Sequence, residues 1–336
     1  MRKKHKIAIL GCGRISGKHI EACDSTDRVE LTTLCDSDKA AAETKAGGRD
    51  GLAVIDSIDQ LAADESIDVV IVATPPDVRL EVVRPLLEAS KHLLVEKPFA
   101  NSIAEAEIMV AVADQQQVKL AVNQNFRFLE ESQQIKALLD KGKLGTPFFM
   151  SQLHSCWRNE EDGWRNTTER LALAVMGTHW LDRFRWLFGQ EAHSIFAHTF
   201  YSGLLDSEGE DLANVTIEFP SGCLASLTEQ WNSRGQGGAN YFQMDCTEGS
   251  VILRDGILKA VGSDRESLLE QPVDADFGPT FAKSLLELLD AIDEDREPMH
   301  SGLNNLGTTA LLEGAYISAE EGSKFSIGEE ESSFGA

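Results

Sequence analysis

The sequence predicts an α/β protein. Its first part is a doubly wound parallel sheet, and its second part is an α+β domain with a large open, mostly antiparallel sheet. The first reason is length, because 336 residues exceed what one hydrophobic core usually supports. The second is the alternation of short apolar runs with helical runs over residues 1–122. The third is a change of pattern over residues 123–336, where strands of alternating polarity follow one another between turn residues.

The first domain is predicted from short, apolar, β-branched runs that do not alternate in polarity. These runs are KIAIL (6–10), VELTTLC (29–35), DVVIVAT (68–74), HLLVE (92–96) and VKLAV (118–122). Helical stretches at 77–90 and 102–117 lie between the later ones. Strands of this kind, separated by helices, are typical of a parallel sheet that is covered on both faces.

The second domain is predicted to begin near residue 123, where the pattern changes. Its predicted elements are helix 131–142, strand 146–155, helix 179–189, strand-rich runs at 193–200, 214–231 and 240–253, and helices near 281–293 and 305–320. The tripeptide PSG (220–222) is typical of a turn between two antiparallel strands. We therefore expect a sheet of hairpins with a few covering helices.

Composition excludes several classes of partner. The chain has 55 acidic and 31 basic residues, a formal net charge of −24, which repels nucleic acid and anionic membranes. No apolar run is long enough to span a bilayer. The six cysteines show neither C-x-x-C spacing nor an accompanying histidine cluster. We expect reduced thiols, no metal site and a cytoplasmic location.

A glycine-rich turn predicts a dinucleotide-binding Rossmann domain. Gly11 and Gly13 follow the first strand directly, and Arg14 and Ile15 lead from them into a helix. Gly11 permits a tight turn, and Gly13 lets a pyrophosphate approach the helix N-terminus. Asp36 ends the second strand, where a carboxylate binds ribose hydroxyls and repels a 2′-phosphate. These residues favour NAD over NADP.

Further candidate residues follow the later strands, at the edge of the sheet where ligands bind in such folds. Thr74 and Pro75 end the third predicted strand. Glu96, Lys97 and Pro98 end the run HLLVE and begin the sequence EKPFA, and the Lys97–Pro98 bond is a candidate for the cis form. Asn123, Asn125 and Arg127 follow the last predicted strand.

Together these motifs resemble the glucose–fructose oxidoreductase/inositol dehydrogenase (Gfo/Idh/MocA) family over nearly the whole chain. The motifs are GCGRISGKH, CDSD, VATPPD, LLVEKPFA, AVNQNFRF, GKLGTPFF, MGTHWLDRFRWLFG and CTEGSVIL. The resemblance implies a Rossmann domain with NAD(P) bound between it and an open-sheet domain. It implies hydride transfer at a hydroxyl carbon of a sugar or polyol, and homodimers or homotetramers packed through the C-terminal sheet.

The resemblance also implies site residues. Lys97 is expected to contact substrate and the nicotinamide ribose, and Glu96 the ribose. The family's histidine in the helix of the second domain corresponds to His179. Because an unperturbed histidine titrates near 6.5 and a lysine near 10.4, we expect His179 as proton acceptor and Lys97 as the group stabilising the reacting oxygen. Lys97 could itself accept the proton if its pKa were lowered by burial, and the sequence leaves both open.

One departure bears on His179. The family commonly carries Asp four residues before this histidine, whereas this chain has Val175. Asp182, three residues after His179, is a candidate for the same helix face. Nearby, Trp164 and Arg165 in CWRNEEDGWRN (156–166) are substrate candidates, because aromatic rings and arginines hold sugars.

Two other functions are compatible with the sequence. One is a non-catalytic NAD-binding sensor or regulator on the same fold, which Val175 favours. The other is a redox-neutral enzyme that uses NAD transiently, as in glycoside cleavage. The presence of both Lys97 and His179 favours the dehydrogenase.

Overall fold

The computed structural model describes residues 3–159, 163–235, 238–274 and 276–328. Spatial contacts divide the chain into two compact units. Unit 1 comprises residues 1–128 and 276–309, and unit 2 comprises 129–275 and 310–336. The boundary predicted after residue 122 rests on sequence pattern alone, and the limits of independently folding domains stay a prediction.

Unit 1 is built on a six-stranded parallel sheet with strand order β3-β2-β1-β4-β5-β6. Its strands are β1 (His5–Leu10), β2 (Val29–Cys35), β3 (Ala53–Ile55), β4 (Val69–Val72), β5 (His92–Val95) and β6 (Leu120–Val122). This is the order of a doubly wound dinucleotide-binding fold, in which ligands bind beyond the carboxyl ends of the strands.

The strands of unit 1 are buried on both faces, as their apolar runs predict. On one face, Leu10, Val72 and Val95 belong to a core that includes helices α3 (Ile58–Ala63), α4 (Arg79–Glu88) and α5 (Ile103–Gln115). On the other face, Ile9 and Ile71 belong to a core with α1 (Ser16–Asp24), α2 (Lys39–Ala46) and α8 (Gly278–Asp293). Successive strand residues therefore enter different cores, which explains why the strands do not alternate in polarity.

The helices of unit 1 begin and end at residues that suit those positions. Their bounds are α1 (Ser16–Asp24), α2 (Lys39–Ala46), α3 (Ile58–Ala63), α4 (Arg79–Glu88), α5 (Ile103–Gln115), α8 (Gly278–Asp293) and the first part of α9 (Gly302–Glu321). The side chains of Asp38, Ser57 and Ser102 accept N–H bonds at the starts of α2, α3 and α5. Gly47 ends α2 in a left-handed conformation.

Unit 2 is built on a nine-stranded sheet with strand order β14-β13-β12-β11-β7-β10-β9-β8-β15. Its strands are β7 (Pro147–Ser155), β8 (Ser194–Phe200), β9 (Leu212–Glu218), β10 (Leu224–Gln230), β11 (Ala239–Cys246), β12 (Gly249–Arg254), β13 (Ile257–Gly262), β14 (Ser267–Pro272) and β15 (Phe325–Ser326). The pair β7 and β10 is parallel, and the other described pairs are antiparallel. The expected mostly antiparallel sheet is confirmed.

Two further helices belong to unit 2. These are α6 (Glu130–Asp140) and α7 (Thr178–Phe188). A π-helical segment, Leu173–Gly177, leads directly into α7. Such wide turns are rare and frequently occur at functional sites. Gly189 ends α7 in a left-handed conformation.

The predicted elements therefore occur near their expected positions, and the predicted fold class is confirmed. The sequence did not predict the short or peripheral strands β3, β13, β14 and β15. Within the part of the chain that the structure describes, no helix is long and apolar enough to cross a membrane.

Candidate active site

Gly11 determines the shape of the turn between β1 and α1. Its φ is +94°, and a Cβ there would lie 2.8 Å from the carbonyl carbon of Ala73, just after β4. Its N–H donates to the carbonyl of Cys35 at 2.8 Å. A side chain at position 11 would therefore push the ends of two strands apart. At Gly13, by contrast, a Cβ would meet no described atom within 4 Å, so the space beside it is open.

The beginning of α1 is held by Ser16, which stands where the third glycine of the motif usually occurs. Ser16 is buried, and its hydroxyl donates to the carbonyl of Gly13 at 2.7 Å. Arg14 is exposed and Ile15, the residue preceding the helix, is half-buried. The departure from G-x-G-x-x-G thus preserves the turn.

Asp36 lies just after β2 with its carboxylate held in place. One oxygen accepts the N–H of Cys12 at 2.6 Å, and the other accepts the N–H of Asp38 at 2.9 Å. Its carboxylate is therefore fixed beside the glycine turn. The two residues after it supply no cation to bind a 2′-phosphate, as the sequence indicates.

A buried arginine connects the ends of β4 and β5. The guanidinium of Arg79 is 1% exposed and donates to the carbonyl oxygens of Thr74 at 2.6 Å, Pro98 at 3.1 Å, and Glu96. Burial lowers the pKa of Arg79 to about 10, although the negative charge of Glu96 acts to raise it. Arg79 thus fixes the backbone on both sides of Lys97.

Glu96 is buried in a polar network. Its Oε1 accepts the side-chain N–H of Asn123 at 2.7 Å and lies 2.9 Å from Nε2 of His19. Its Oε2 accepts the N–H of Lys97 at 3.2 Å. Burial alone would raise the pKa of Glu96, but the bond and charge of His19, the charge of Lys97 and the bond of Asn123 outweigh it and lower the pKa to about 2. Glu96 is therefore an anion throughout the physiological range.

Lys97 is half-buried at the edge of unit 1, directly after β5. The Lys97–Pro98 peptide bond is cis, the form for which the sequence made it a candidate. Glu96 and Arg79 bind the backbone on either side of it. The side chain of Lys97 therefore extends from a fixed segment, which suits a group that must point at a reacting atom.

The predicted residues after β6 are buried and bonded within unit 1. Asn125 donates to the hydroxyl of Thr280 at 2.7 Å. Arg127 donates to Asn304 Oδ1 at 2.6 Å and to the carbonyl of Met299. These contacts show that both side chains stabilise the unit. Ligand contacts for Asn125 and Arg127 stay predictions.

In unit 2, His179 lies in the first turn of α7 and is buried. Val175 lies in the preceding π-helical segment and packs in an apolar cluster with Leu171, Leu205 and Trp231. A carboxylate at position 175 would be buried among these groups. The chain therefore uses this position for packing, and not for an acid that could orient His179.

A buried carboxylate holds the segment that leads into α7. Glu210 accepts the N–H of Leu171 at 2.7 Å, the N–H of Leu173 at 2.9 Å and the hydroxyl of Tyr316 at 2.7 Å. Burial raises the pKa of Glu210, while these donors act in the opposite direction. Glu210 therefore helps to place the π-helical segment and the start of α7.

The other predicted substrate residues also lie in unit 2. Asp182 is 1% exposed, and its Oδ1 lies 3.8 Å from a guanidinium nitrogen of Arg185. Trp164 is half-buried beside the cluster of Val175. The guanidinium of Arg165 lies 5.6 Å from the ring centre of Trp164. Residues 160–162 of the same predicted segment lie outside the described residues.

The residues of unit 1 fit an NAD molecule. Among the described residues, the buried Oγ1 of Thr74 and the buried Oδ1 of Asn123 have no hydrogen-bond partner, although both lie just after strands of the sheet. Such atoms in a folded protein usually bind water or a ligand. With the open space at Gly13 and the fixed carboxylate of Asp36, they form a polar edge that suits a ribose and a pyrophosphate.

Three buried charged or polar residues, two in unit 1 and one in unit 2, were not predicted, although their positions carried a signal. Arg79 occupies the first position of a buried stripe that continues as Val82, Val83, Leu86 and Leu87. His19 lies on the buried face of α1. Glu229 lies on the buried side of β10, where it alternates in register with Ala225 and Leu227. A charged or polar residue within an apolar stripe was the available signal.

Comparison with known families identifies the class of protein. Residues 5–124 match the oxidoreductase family with an NAD-binding Rossmann fold, and residues 132–252 match the GFO/IDH/MocA C-terminal domain. The chain therefore belongs to the Gfo/Idh/MocA family of NAD-binding oxidoreductases. The predicted family membership is confirmed.

Individual relatives cover most of the chain. A D-apiose dehydrogenase of Paraburkholderia graminis is 28% identical over 95% of this chain and 89% of its own. Inositol 2-dehydrogenase 2 of Saccharopolyspora erythraea is 29% identical over 82% of this chain and 80% of its own. A solved structure of levoglucosan dehydrogenase in complex with NADH and levoglucosan superimposes with a TM-score of 0.88 at 19% identity, covering 97% of this chain and 100% of that one.

The two glycines of the turn predict different consequences of the same substitution. Gly11→Ala should lower the free energy of unfolding by about 3 kcal/mol, because the new Cβ meets the backbone after β4. Gly13→Ala should leave stability unchanged but weaken NAD binding at least about tenfold, or 1.4 kcal/mol, because the methyl group occupies space that a pyrophosphate needs. Thermal unfolding and calorimetric titration with NAD measure the two effects. Wild-type NAD affinity in Gly13→Ala would contradict the placement of the pyrophosphate.

Proposed function

We propose that this protein is an NAD-preferring dehydrogenase that transfers a hydride between nicotinamide and a hydroxyl-bearing carbon of a sugar, polyol or sugar derivative. The observation that carries the proposal is the edge of unit 1. There Arg79 donates to the carbonyls of Glu96 and Pro98 on either side of Lys97, and the buried Glu96 carboxylate accepts the Lys97 N–H. The same sheet presents the glycine turn and Asp36. The named activities of relatives such as D-apiose and inositol dehydrogenases support sugars and polyols as the substrate class.

The chemistry requires a hydride acceptor and a proton acceptor. When bound, oxidised nicotinamide supplies the first. We propose that Gly11, Gly13, Asp36, Thr74 and Asn123 hold the cofactor. The Lys97 ammonium hydrogen-bonds the substrate hydroxyl oxygen and stabilises the negative charge that develops on it. A histidine of unit 2 then receives the hydroxyl proton, and the sequence singles out His179 for this role.

A substrate panel tests the proposal. Purified protein is mixed with NAD and a set of sugars, sugar acids and polyols, and reduced cofactor is followed by its absorbance. Turnover of at least one substrate is expected. Tight NAD binding without turnover of any substrate would instead support the NAD-binding sensor, for which Val175 remains the specific observation.

With a substrate in hand, Lys97→Ala should lower kcat by about 10³-fold, because a preorganised donor at the reacting oxygen is lost. Its NAD dissociation constant should stay within about threefold of wild type, since the backbone contacts of Glu96 and Arg79 do not depend on the Lys97 side chain. Lys143→Ala, at an exposed lysine of unit 2, is the matched control and should retain full activity. An undiminished kcat in Lys97→Ala would show that the Lys97 side chain does not take part in the reaction.

Cofactor preference follows from Asp36. We expect NAD to bind about 10²-fold more tightly than NADP, because a 2′-phosphate beside this carboxylate is a juxtaposition of like charges. Asp36→Ser should lower the ratio of NAD affinity to NADP affinity, chiefly because NAD binds more weakly while NADP affinity changes little. Asp27→Ser, at an exposed position before β2, is the control. The dissociation constants of NAD and NADP measure this preference. Tighter binding of NADP than of NAD by the wild type would contradict the role proposed for Asp36.

We also propose a homodimer or homotetramer formed through the sheet of unit 2. Leu224, Ile252 and Val261 are exposed apolar residues of strands β10, β12 and β13, on the side opposite to their buried neighbours. A row of such residues on one sheet face favours association of copies. Light scattering should give a mass of two or four chains for wild type and a smaller mass for Ile252→Glu. A monomeric wild type would contradict the proposal.

A further inference from the structure

The buried carboxylate of Glu96 lies directly after β5 and beside α1. One of its oxygens lies 2.9 Å from Nε2 of His19 in α1 and accepts the side-chain N–H of Asn123 at 2.7 Å. The ring of His19 packs edge-on against Phe281 of α8, with ring centres 5.1 Å apart. Glu96 itself is 5% exposed. It is therefore a negative charge held at a fixed position inside unit 1.

The strand order assigns Glu96 to one half of the sheet. The order reverses between β1 and β4, and a dinucleotide lies across this point with one nucleotide on each half. Asp36, after β2, suits the ribose of the adenosine half. Thr74, Glu96 and Asn123 follow β4, β5 and β6 on the other half. We therefore expect the nucleotide that carries nicotinamide at the ends of β4, β5 and β6.

Two side chains that contact Glu96 also carry atoms suited to bind a ligand. Among the described residues, Oδ1 of Asn123 and Nδ1 of His19 are buried without a hydrogen-bond partner. Such atoms usually bind water or a ligand. The other end of each side chain contacts the Glu96 carboxylate. A ligand group bonded to Oδ1 of Asn123 is therefore separated from Glu96 by a single amide group.

The charge of Glu96 distinguishes the two forms of nicotinamide. The oxidised ring carries one positive charge, and it becomes neutral when it gains a hydride, which brings two electrons and one proton. A fixed anion nearby therefore stabilises the oxidised form more than the reduced form. Burial raises the pKa of Glu96, but the bond and charge of His19, the charge of Lys97 and the bond of Asn123 outweigh it and lower the pKa to about 2. Glu96 thus stays ionised.

Two cations close to Glu96 act in the opposite direction. Lys97 follows it directly in the chain, and the guanidinium of Arg79 donates to its carbonyl oxygen. Both positive charges disfavour a positively charged ring at this edge of the sheet. The Glu96 carboxylate offsets their effect, and its removal would leave both cations in place.

We propose that Glu96 shifts the binding preference of the cofactor site toward oxidised nicotinamide. The inference rests on the NAD site of the proposed function, and it requires neither the substrate nor unit 2. Compared with a site that lacks this carboxylate, the reduction potential of the bound cofactor is lower. During turnover the same preference favours release of NADH, so that the enzyme binds NAD again before the next substrate is oxidised.

The test measures the dissociation constants of NAD and NADH in the absence of substrate. Glu96→Gln keeps the shape of the side chain and removes its charge. The ratio of NAD affinity to NADH affinity should fall about tenfold, which raises the potential of the bound two-electron couple by about 30 mV. Calorimetric titration with NAD and fluorescence titration with NADH give the two constants.

Two further variants separate the charge of Glu96 from its structural contacts. Asp36→Asn is the matched control, because it removes a carboxylate that is bonded to N–H groups on the adenosine half of the same sheet. It should weaken NAD and NADH by the same factor. Glu96→Asp keeps the negative charge and should retain the wild-type affinity ratio to within about threefold, even where both forms bind more weakly. Loss of a purely structural residue would weaken both forms equally.

The protonation of His19 is controlled by a second background. Release of a proton from His19 would reduce the measured effect if it accompanied the loss of the Glu96 charge. His19→Gln keeps a side-chain N–H donor and cannot take up a proton. In this background Glu96→Gln should again lower the affinity ratio about tenfold. If Glu96→Gln does not fold, His19→Leu combined with Glu96→Met removes the buried charge together with its partner, and thermal unfolding verifies the fold.

Distinct outcomes would overturn the proposal. Equal loss of NAD and NADH affinity in folded Glu96→Gln, with and without His19→Gln, would show that Glu96 only supports the structure. A protein that shows the expected change of ratio but turns over no substrate would contradict the dehydrogenase and support this inference. A wild type that binds neither NAD nor NADH would contradict both.

Discussion

The candidate site of unit 1 depends on one buried cation. Arg79 donates to the carbonyl oxygens that end β4 and follow β5, so the edge of two strands is held by a single guanidinium. Without it, the carbonyl groups of Thr74, Glu96 and Pro98 would lose their common donor. Because unpaired buried polar groups are costly, the segment that carries Lys97 would have to rearrange.

Glu96 provides the opposite charge at the same edge. Its carboxylate is buried, but it is hydrogen-bonded to His19, Asn123 and the Lys97 N–H. Its pKa is lowered to about 2. The acid and the base of EKP therefore have different tasks. Glu96 is the internal anion of a closed network, and Lys97 is the residue left at the edge. Unit 2 repeats this principle with Glu210 and Glu229, each enclosed and each bonded to several donors.

Much of this structure was predictable because its signals are local. Parallel strands buried on both faces have continuous apolar runs, and the glycine turn and the EKP block occupy short stretches. The strand β3 (Ala53–Ile55) escaped prediction because three residues carry little pattern of their own. Arg79, His19 and Glu229 escaped because each has a partner far away in the chain. Glu96 is 17 residues from Arg79 and 77 from His19, and His154 is 75 residues from Glu229. A single sequence does not show such pairings.

Val175 is a second case in which a single sequence does not show which residues contact one another. The sequence correctly shows that a carboxylate is missing before His179, but it does not show what replaces it. The structure places Val175 against Trp231, and the indole of Trp231 is bound to Glu229. The buried acid bonded to Trp180 therefore comes from β10, 49 residues away in the sequence, a separation that motif comparison does not examine.

The most direct test of the central claim is the kinetic behaviour of Arg79→Met beside Arg28→Met. Arg28 is also buried in unit 1, but it binds Asp290 and Asp293 of α8 and directly precedes β2, at the opposite end of the strands from Lys97. Both variants should be less stable than wild type. At a temperature where both are folded, Arg79→Met should lose at least about tenfold in kcat, or 1.4 kcal/mol, whereas Arg28→Met should retain it. Equal, wild-type kcat in both folded variants would contradict the claim that Arg79 positions Lys97.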